Sequence, residues 1–230
     1  SSTSRGLGDV YKRQWAAIVI NADAPIELQV TSNYSFLHGA SHVEELLKQA
    51  HAFGFEALAL TDRNTLAGLA RAHQRAHQIG LRLIVGCRLD LVDFPSLLLF
   101  PTDREAYARL CGVLSHGKRR AKNSFALHWS ELQPHVEGLV AILLPEQPLH
   151  ALPETLPPAL RQMHDVFGDR AWCALTLERR PDDRARLALI KSLCAQADVP
   201  TVVTGDVLYH EPGRRILQDV VTCIREGCTI

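Results

Sequence analysis

From Ile26 onward the chain alternates short apolar runs with longer stretches whose apolar positions recur at helical spacing. The runs predict strands at Ile26–Thr31, Ala57–Leu60, Leu83–Leu89, Leu139–Leu144, Cys173–Leu177 and Val199–Thr204, with Ser96–Phe100 as a hairpin partner for the third. A helix is predicted from the capping box Ser41-His42-Val43-Glu44 to about Phe53, where Gly54 stops it. Others are predicted over Leu66–Ile79 before Gly80, and from the box Thr102-Asp103-Arg104-Glu105 to about His116. A Pro-rich connector, Pro145 to Pro158, leads to a helix ending near Phe167. Asp182–Ala197, with Pro181 suited to its first turn, and Pro212–Arg225 complete the set. Strands alternating with helices imply βα units and a parallel α/β sheet of about six or seven units. The fully apolar Ala57–Leu60 fits a sheet buried on both faces. Pattern alone does not separate a barrel from an open sheet.

Composition narrows the picture. The 230 residues suit one large domain or two small ones, and 47% apolar content supplies a core. Lys plus Arg and Asp plus Glu both number 25, so there is no bulk basic footprint for nucleic acid, although DNA contact is not excluded. No apolar run approaches a membrane span. The six cysteines form no C-x-x-C pair; Cys223 and Cys228 are closest, and no second pair offers zinc spacing. Reduced, buried, cytosolic cysteines are expected. Residues 1–14 show no folding pattern, and their LGDVYKRQ stretch looks like adapter-derived translation, so an artefactual leader is expected there, with 15–25 as a lead-in. Lys12, Arg13 and the run Trp15–Ile20 mimic a secretion signal, but six apolar residues are too few.

In βα folds chemistry gathers at the carboxyl ends of strands. The loops to examine are Thr31–Gly39, Thr61–Thr65, Gly86–Arg88 and Gly205–His210. The strings LQVTSNYSFLHGASHVEEL, ALALTDRNTLAGLARAH, LRLIVGCRLDLV and TGDVLYHEPGRRILQDVVTCIREG fall in these regions. Together they resemble the PHP (polymerase and histidinol phosphatase) domain of bacterial C-family DNA polymerases, most closely the error-prone, damage-associated branch. The resemblance spans 26–230 and implies a distorted TIM-like barrel of βα units, truncated within its last motif at Ile230. It also implies a parent DNA-directed DNA polymerase, a nucleotidyltransferase acting in replication past damage and in repair in the cytoplasm.

The departures from the family pattern decide the expected chemistry. Metal-binding members carry H-x-H where this chain has Gln29-Val30-Thr31, and Asp where it has His38. They carry His at Arg63, Glu at Arg88, and D-x-H where this chain has Asp206-Val207-Leu208. Of Gln29, Thr31, His38, Arg63, Arg88, Asp206 and Leu208, only His38 and Asp206 retain ligand chemistry of that kind. A phosphoesterase needs several convergent ligands, so a metal-free, non-catalytic domain is expected. Asp206 is expected to pair with Arg63 or Arg88. Asp62 and Asn64 read as helix caps, and His73 with His77 as a solvated face. Lys118, Arg119, Arg120 and Lys122 are candidate phosphate contacts beside a plain solvated-loop reading. The resemblance assigns Mg2+, DNA and deoxynucleotides to polymerase domains absent from this chain. In cis the polymerase core, and in trans other mutagenesis or replication proteins, would be its partners. The alternatives are an active phosphoesterase or 3′–5′ exonuclease with unusual ligands, and an unrelated interaction module.

Overall fold

The computed structural model describes residues 25–120, 124–177 and 180–229. Expectations for residues 1–14, for most of 15–25 and for Lys122 lie outside the described residues. In chain order the elements are β1 (Ile26–Val30), α1 (Val43–Ala52), β2 (Ala57–Leu60), α2 (Leu69–Ile79), β3 (Arg82–Val85), β4 (Cys87–Leu89), β5 (Leu97–Pro101) and α3 (Arg104–Arg120). There follow α4 (Trp129–Leu132), β6 (Leu139–Leu143), α5 (Leu152–Phe167), β7 (Ala171–Thr176), α6 (Asp183–Gln196), β8 (Thr201–Thr204) and α7 (Arg215–Glu226). Contacts divide the chain into two compact units. Among the described residues, one is made of 25–88 with 205–229, the other of 89–204.

In the first unit β1, β2 and β3 form a parallel sheet in which Ile26 pairs with Ala57 and Ala57 with Arg82. All four residues of β2 are buried, as an apolar run between two neighbours requires. Helix α1 buries Val43, Leu46, Leu47 and Ala50, one stripe at helical spacing. Its box is shifted by one residue from the expected one. Ser41 Oγ accepts the His210 N–H at 3.1 Å, and Glu45 rather than Glu44 reaches back to the His42 N–H at 2.9 Å. Helix α2 ends at Gly80 in the left-handed region, as expected, but begins at Leu69 rather than Leu66. The expected third strand is broken at Gly86, whose N–H turns to Leu60 O, giving β3 and β4.

The second unit carries most of a sheet ordered β4-β5-β6-β7-β8. β6, β7 and β8 are parallel, while β5 runs antiparallel to β6. The parallel βα expectation therefore holds apart from that hairpin-like strand. Among the described residues the ladders fall into these two sheets. Helix α3 is capped by Asp103, whose Oδ1 accepts the Ala106 N–H at 2.7 Å, because Thr102 Oγ1 is engaged on Gly138 O at 2.8 Å. It continues past the expected end at His116 to Arg120. Helix α5 starts inside the supposed connector and contains Pro157 and Pro158. The stripe Leu152, Leu156, Leu160, Met163 and Phe167 is buried, and that burial outweighs the amide donors the prolines lack.

Arg186 of α6 is 4% exposed and reaches the carbonyl oxygens of Pro145 and Gln147. A charged donor on a carbonyl is worth about 1.5–3 kcal/mol. Arg186→Met is expected to lower stability by about 2 kcal/mol, read as a fall in the urea midpoint. An unchanged midpoint would show that the tether carries no net stability.

Candidate functional site

All seven positions singled out in the sequence fall in the first unit. They are set by the ends of β1, β2 and β4 and by the segment after β8. β1 carries Glu27 and Gln29, with a register shift between Glu27 and Val30, and leads directly into Thr31. Gln29 is buried, and its Nε2 donates to Asp206 Oδ1 at 2.7 Å. Asp206 adopts φ +47, a left-handed conformation that short polar side chains tolerate best. That turn lets the Val207 N–H reach Gln29 O and the Thr31 N–H reach Val207 O, both at 2.9 Å. Val207 thereby continues as a parallel bridge to Val30. Leu208 enters through its backbone, whose oxygen accepts the Ala40 N–H at 2.9 Å.

Glu27 was not singled out in the sequence. Its Oε1 accepts the Gly205 N–H at 3.0 Å and the Gln29 N–H at 2.8 Å. Burial pushes its carboxyl above the usual range; three backbone N–H groups oppose this, and the Asp206 charge adds to it. The signal for it was the period-two spacing Glu27, Gln29, Thr31 in an otherwise apolar strand. Glu27 and Asp206 form an acidic corner beside the unpartnered buried oxygen Gln29 Oε1.

A second cluster centres on Asp62, which is 2% exposed. It caps no helix, contrary to expectation. Its carboxylate accepts from the Ser32 N–H at 2.8 Å, from Ser32 Oγ at 2.8 Å and from Ser35 Oγ at 2.7 Å. Ser35 Oγ in turn accepts the Arg63 N–H at 2.8 Å. The backbone of Asp62 accepts the Arg88 N–H at 3.1 Å, and Arg63 and Arg88 form a parallel bridge. The bridge joins the two arginines through their backbones. Arg88 is buried and Arg63 half-buried.

His38 follows Leu37, at φ +59, and is half-buried. Arg225 Nη1 lies 2.9 Å from His38 Nδ1 and donates to Leu37 O at 2.9 Å, while Gln218 Nε2 donates to His38 O at 2.8 Å. Helix α7 therefore pins this loop, a role the sequence did not reveal. The basic run lies in the other unit. There Arg120 pairs with Glu131, and Lys118 and Arg119 are exposed. His77 is exposed and His73 half-buried on α2.

The multinuclear metal cluster implied for active relatives would need several carboxylate and imidazole groups converging. Among the described residues no three His, Cys, Asp or Glu side chains gather in a way that could hold an ion. Gln29 turns its amide nitrogen, a donor, toward Asp206. The residues present do not fit such a cluster.

A family profile for the PHP domain matches residues 27–168. Error-prone DNA polymerase 3 of Agrobacterium fabrum is 50% identical over 206 residues, 89% of this chain and 18% of that protein. The error-prone DNA polymerase of Caulobacter vibrioides is 44% identical over 206 residues, 89% of this chain and 19% of that one. The chain thus spans under a fifth of the length of these relatives. Among solved structures, a candidate metal-dependent phosphoesterase of Bifidobacterium adolescentis superposes with a TM-score of 0.61 at 15% identity, over 83% of this chain and 89% of that one. An amidohydrolase of Chromobacterium violaceum, with sulfate bound and no metal, gives 0.57 at 14%, over 83% and 89%. At such identities these two show the fold alone, and they share it with the matched family. With its matched profile, and about half identity to error-prone polymerases along most of its length, the chain belongs to the PHP domain family.

Proposed function

We propose that this chain is the PHP domain of an error-prone DNA polymerase and that it serves as a metal-independent support. The identity of about half to error-prone polymerases across 89% of the chain carries this reading. Template-directed nucleotidyl transfer, with its Mg2+, DNA and deoxynucleotides, then belongs to the part of these relatives outside the matched span. The cytoplasm, replication past damage and DNA repair follow from that parentage. Among the described residues no helix is long and apolar enough to cross a membrane. The support role draws on the side chains at the strand ends. An amide, a hydroxyl, two guanidiniums and a leucine stand where catalytic members carry ligands, and two fixed positive charges disfavour cations.

The alternative, a phosphoesterase or 3′–5′ exonuclease with unusual ligands, has one observation in its favour: the corner of Glu27, Asp206 and Gln29 Oε1. Elemental analysis of metal-supplemented protein, with a phosphoesterase assay in manganese or zinc, separates the two. The support reading expects neither stoichiometric metal nor turnover. It also expects Asp206→Ala to cost about 1 kcal/mol, because the buried Gln29 amide loses its acceptor. Stoichiometric metal with turnover that disappears in Asp206→Ala would overturn it.

A further inference from the structure

Helix α7 ends in a particular turn. Gly227 adopts φ +66, its N–H bonds Cys223 O, and the Cys228 N–H bonds the same carbonyl at 3.0 Å. The Cys228 bond is the outer closure of a Schellman motif and the Gly227 bond that of the αL motif; a residue tolerant of positive φ completes either without strain. The motif lays the side chain following the glycine against the one four residues before it, a place usually filled by an apolar pair. Here both residues are cysteines, the backbone bond between them is 3.0 Å, and their thiols influence one another's ionisation. Both are free thiols; Cys223 is half-buried and Cys228 exposed.

We propose that Cys223 and Cys228 form a peroxide-oxidisable dithiol, a modification site built by the helix-ending turn. The Cys228 thiolate attacks a peroxide O–O bond, giving a sulfenic acid and releasing hydroxide. The Cys223 sulfur then attacks the Cys228 sulfur and loses its proton, the sulfenic oxygen leaves as water, and a disulfide remains. Two electrons pass to the peroxide, and a dithiol reductant reverses the change. Partial burial and the Cys228 thiol beside it push the Cys223 thiol up, consistent with Cys223 acting as the resolving partner.

The chain supplies an internal comparison. Cys173 of β7 and Cys194 of α6 also influence one another's ionisation, but they are 0% and 1% exposed. An oxidant that reaches Cys228 does not reach them in the folded protein. The disulfide would close the turn immediately after Arg225, the residue that holds Leu37 and His38. Oxidation would therefore stiffen the end of α7 where it grips the His38 loop.

The test treats the reduced native chain with hydrogen peroxide and maps tryptic peptides without reductant. Cleavage after Arg225 falls between the two cysteines. The disulfide therefore joins the peptide Ile216–Arg225 to the one beginning at Glu226, and the linked species collapses under reductant. The expected result is this species as the main disulfide, with loss of two titratable thiols. It should be absent in Cys228→Ser and unaffected in Cys194→Ser. Gly227→Ala strains the turn while its new methyl meets nothing within 4 Å, so linkage should slow in that variant. Persistence of all native thiols, linkage of Cys173 to Cys194 instead, or an undiminished rate in Gly227→Ala would each overturn the proposal.

Discussion

Replacing Asp62 by alanine is expected to destabilise the first unit by about 3 kcal/mol, because buried donors are left without an acceptor. The carboxylate gathers the Ser32 N–H and the hydroxyls of Ser32 and Ser35 within 3.0 Å. Each buried polar group left unpaired costs about 1–3 kcal/mol, and the hydroxyls can turn to partial substitutes, which keeps the total near the lower end of the sum. The damage spreads because Ser35 also receives the Arg63 amide. Urea unfolding followed by circular dichroism reads the effect; a loss below about 1 kcal/mol would show that this network adds little net stability.

The same carboxylate gives a pH test. Burial holds the Asp62 carboxyl above its ordinary range, partly offset by the hydrogen bonds from Ser35 and Ser32. The folded state thus binds this proton more tightly than the unfolded state, whose carboxyl titrates near about 4. The resulting stabilisation is fully present below the unfolded value and is lost as pH rises through the folded one. Asp62→Asn cannot titrate, so the stability of the natural protein relative to this variant should fall as pH rises from about 4. A difference that stays constant over that range would mean that burial does not hold the proton.

Glu27 carries the same sign from burial and from Asp206. The two raised groups mark where side chains are held by structure at a cost in ionisation. Such strain is common at functional sites but also occurs in structural networks.

How much of this was legible in the chain depends on the kind of signal. Apolar runs bounded by glycine fixed β2 and the end of α2, because burial on both faces and a positive φ each admit few residue types. The caps were misplaced because each needs a hydroxyl or carboxylate that something else also wants. Ser41 is taken by His210 and Thr102 by Gly138, so Glu45 and Asp103 cap instead. Helix α5 is longer than its sequence suggests because Pro157 and Pro158 look like breakers, while the buried stripe that overrides them is visible only once α5 is packed. Motif order placed Gln29, Arg63, Arg88 and Asp206 in one unit. It did not reveal that Asp206 takes a hydrogen bond from the Gln29 amide, nor that Asp62 organises two serines. Those depend on which side chains meet across 177 and 30 residues of sequence, and no local pattern encodes them.

Gly39→Ala should be at least as damaging, and for a reason independent of charge. A methyl group there would lie 2.3 Å from Ser32 O, 2.5 Å from Ser32 C and 2.7 Å from Thr31 O. These are backbone atoms, so no rotamer change relieves the overlap. They are also held in place: the Asn33 N–H bonds Ser41 O and the Ala40 N–H bonds Leu208 O, both at 2.9 Å. Making room means parting the β1 end from the loop that carries His38 and from the segment after Asp206. A loss of about 3 kcal/mol or more, or failure to accumulate as soluble protein, is expected; overpacking in tight sites typically costs 1–3 kcal/mol and this contact is closer than most. Gly112→Ala provides the opposite sign in the same chain. Gly112 lies inside α3, and its added methyl meets nothing within 4 Å. Removing glycine from an exposed helical position should raise stability by about 0.5–1 kcal/mol. If both alanines shift the unfolding midpoint in the same direction, the close approach of the Gly39 turn to β1 is not what that glycine is for.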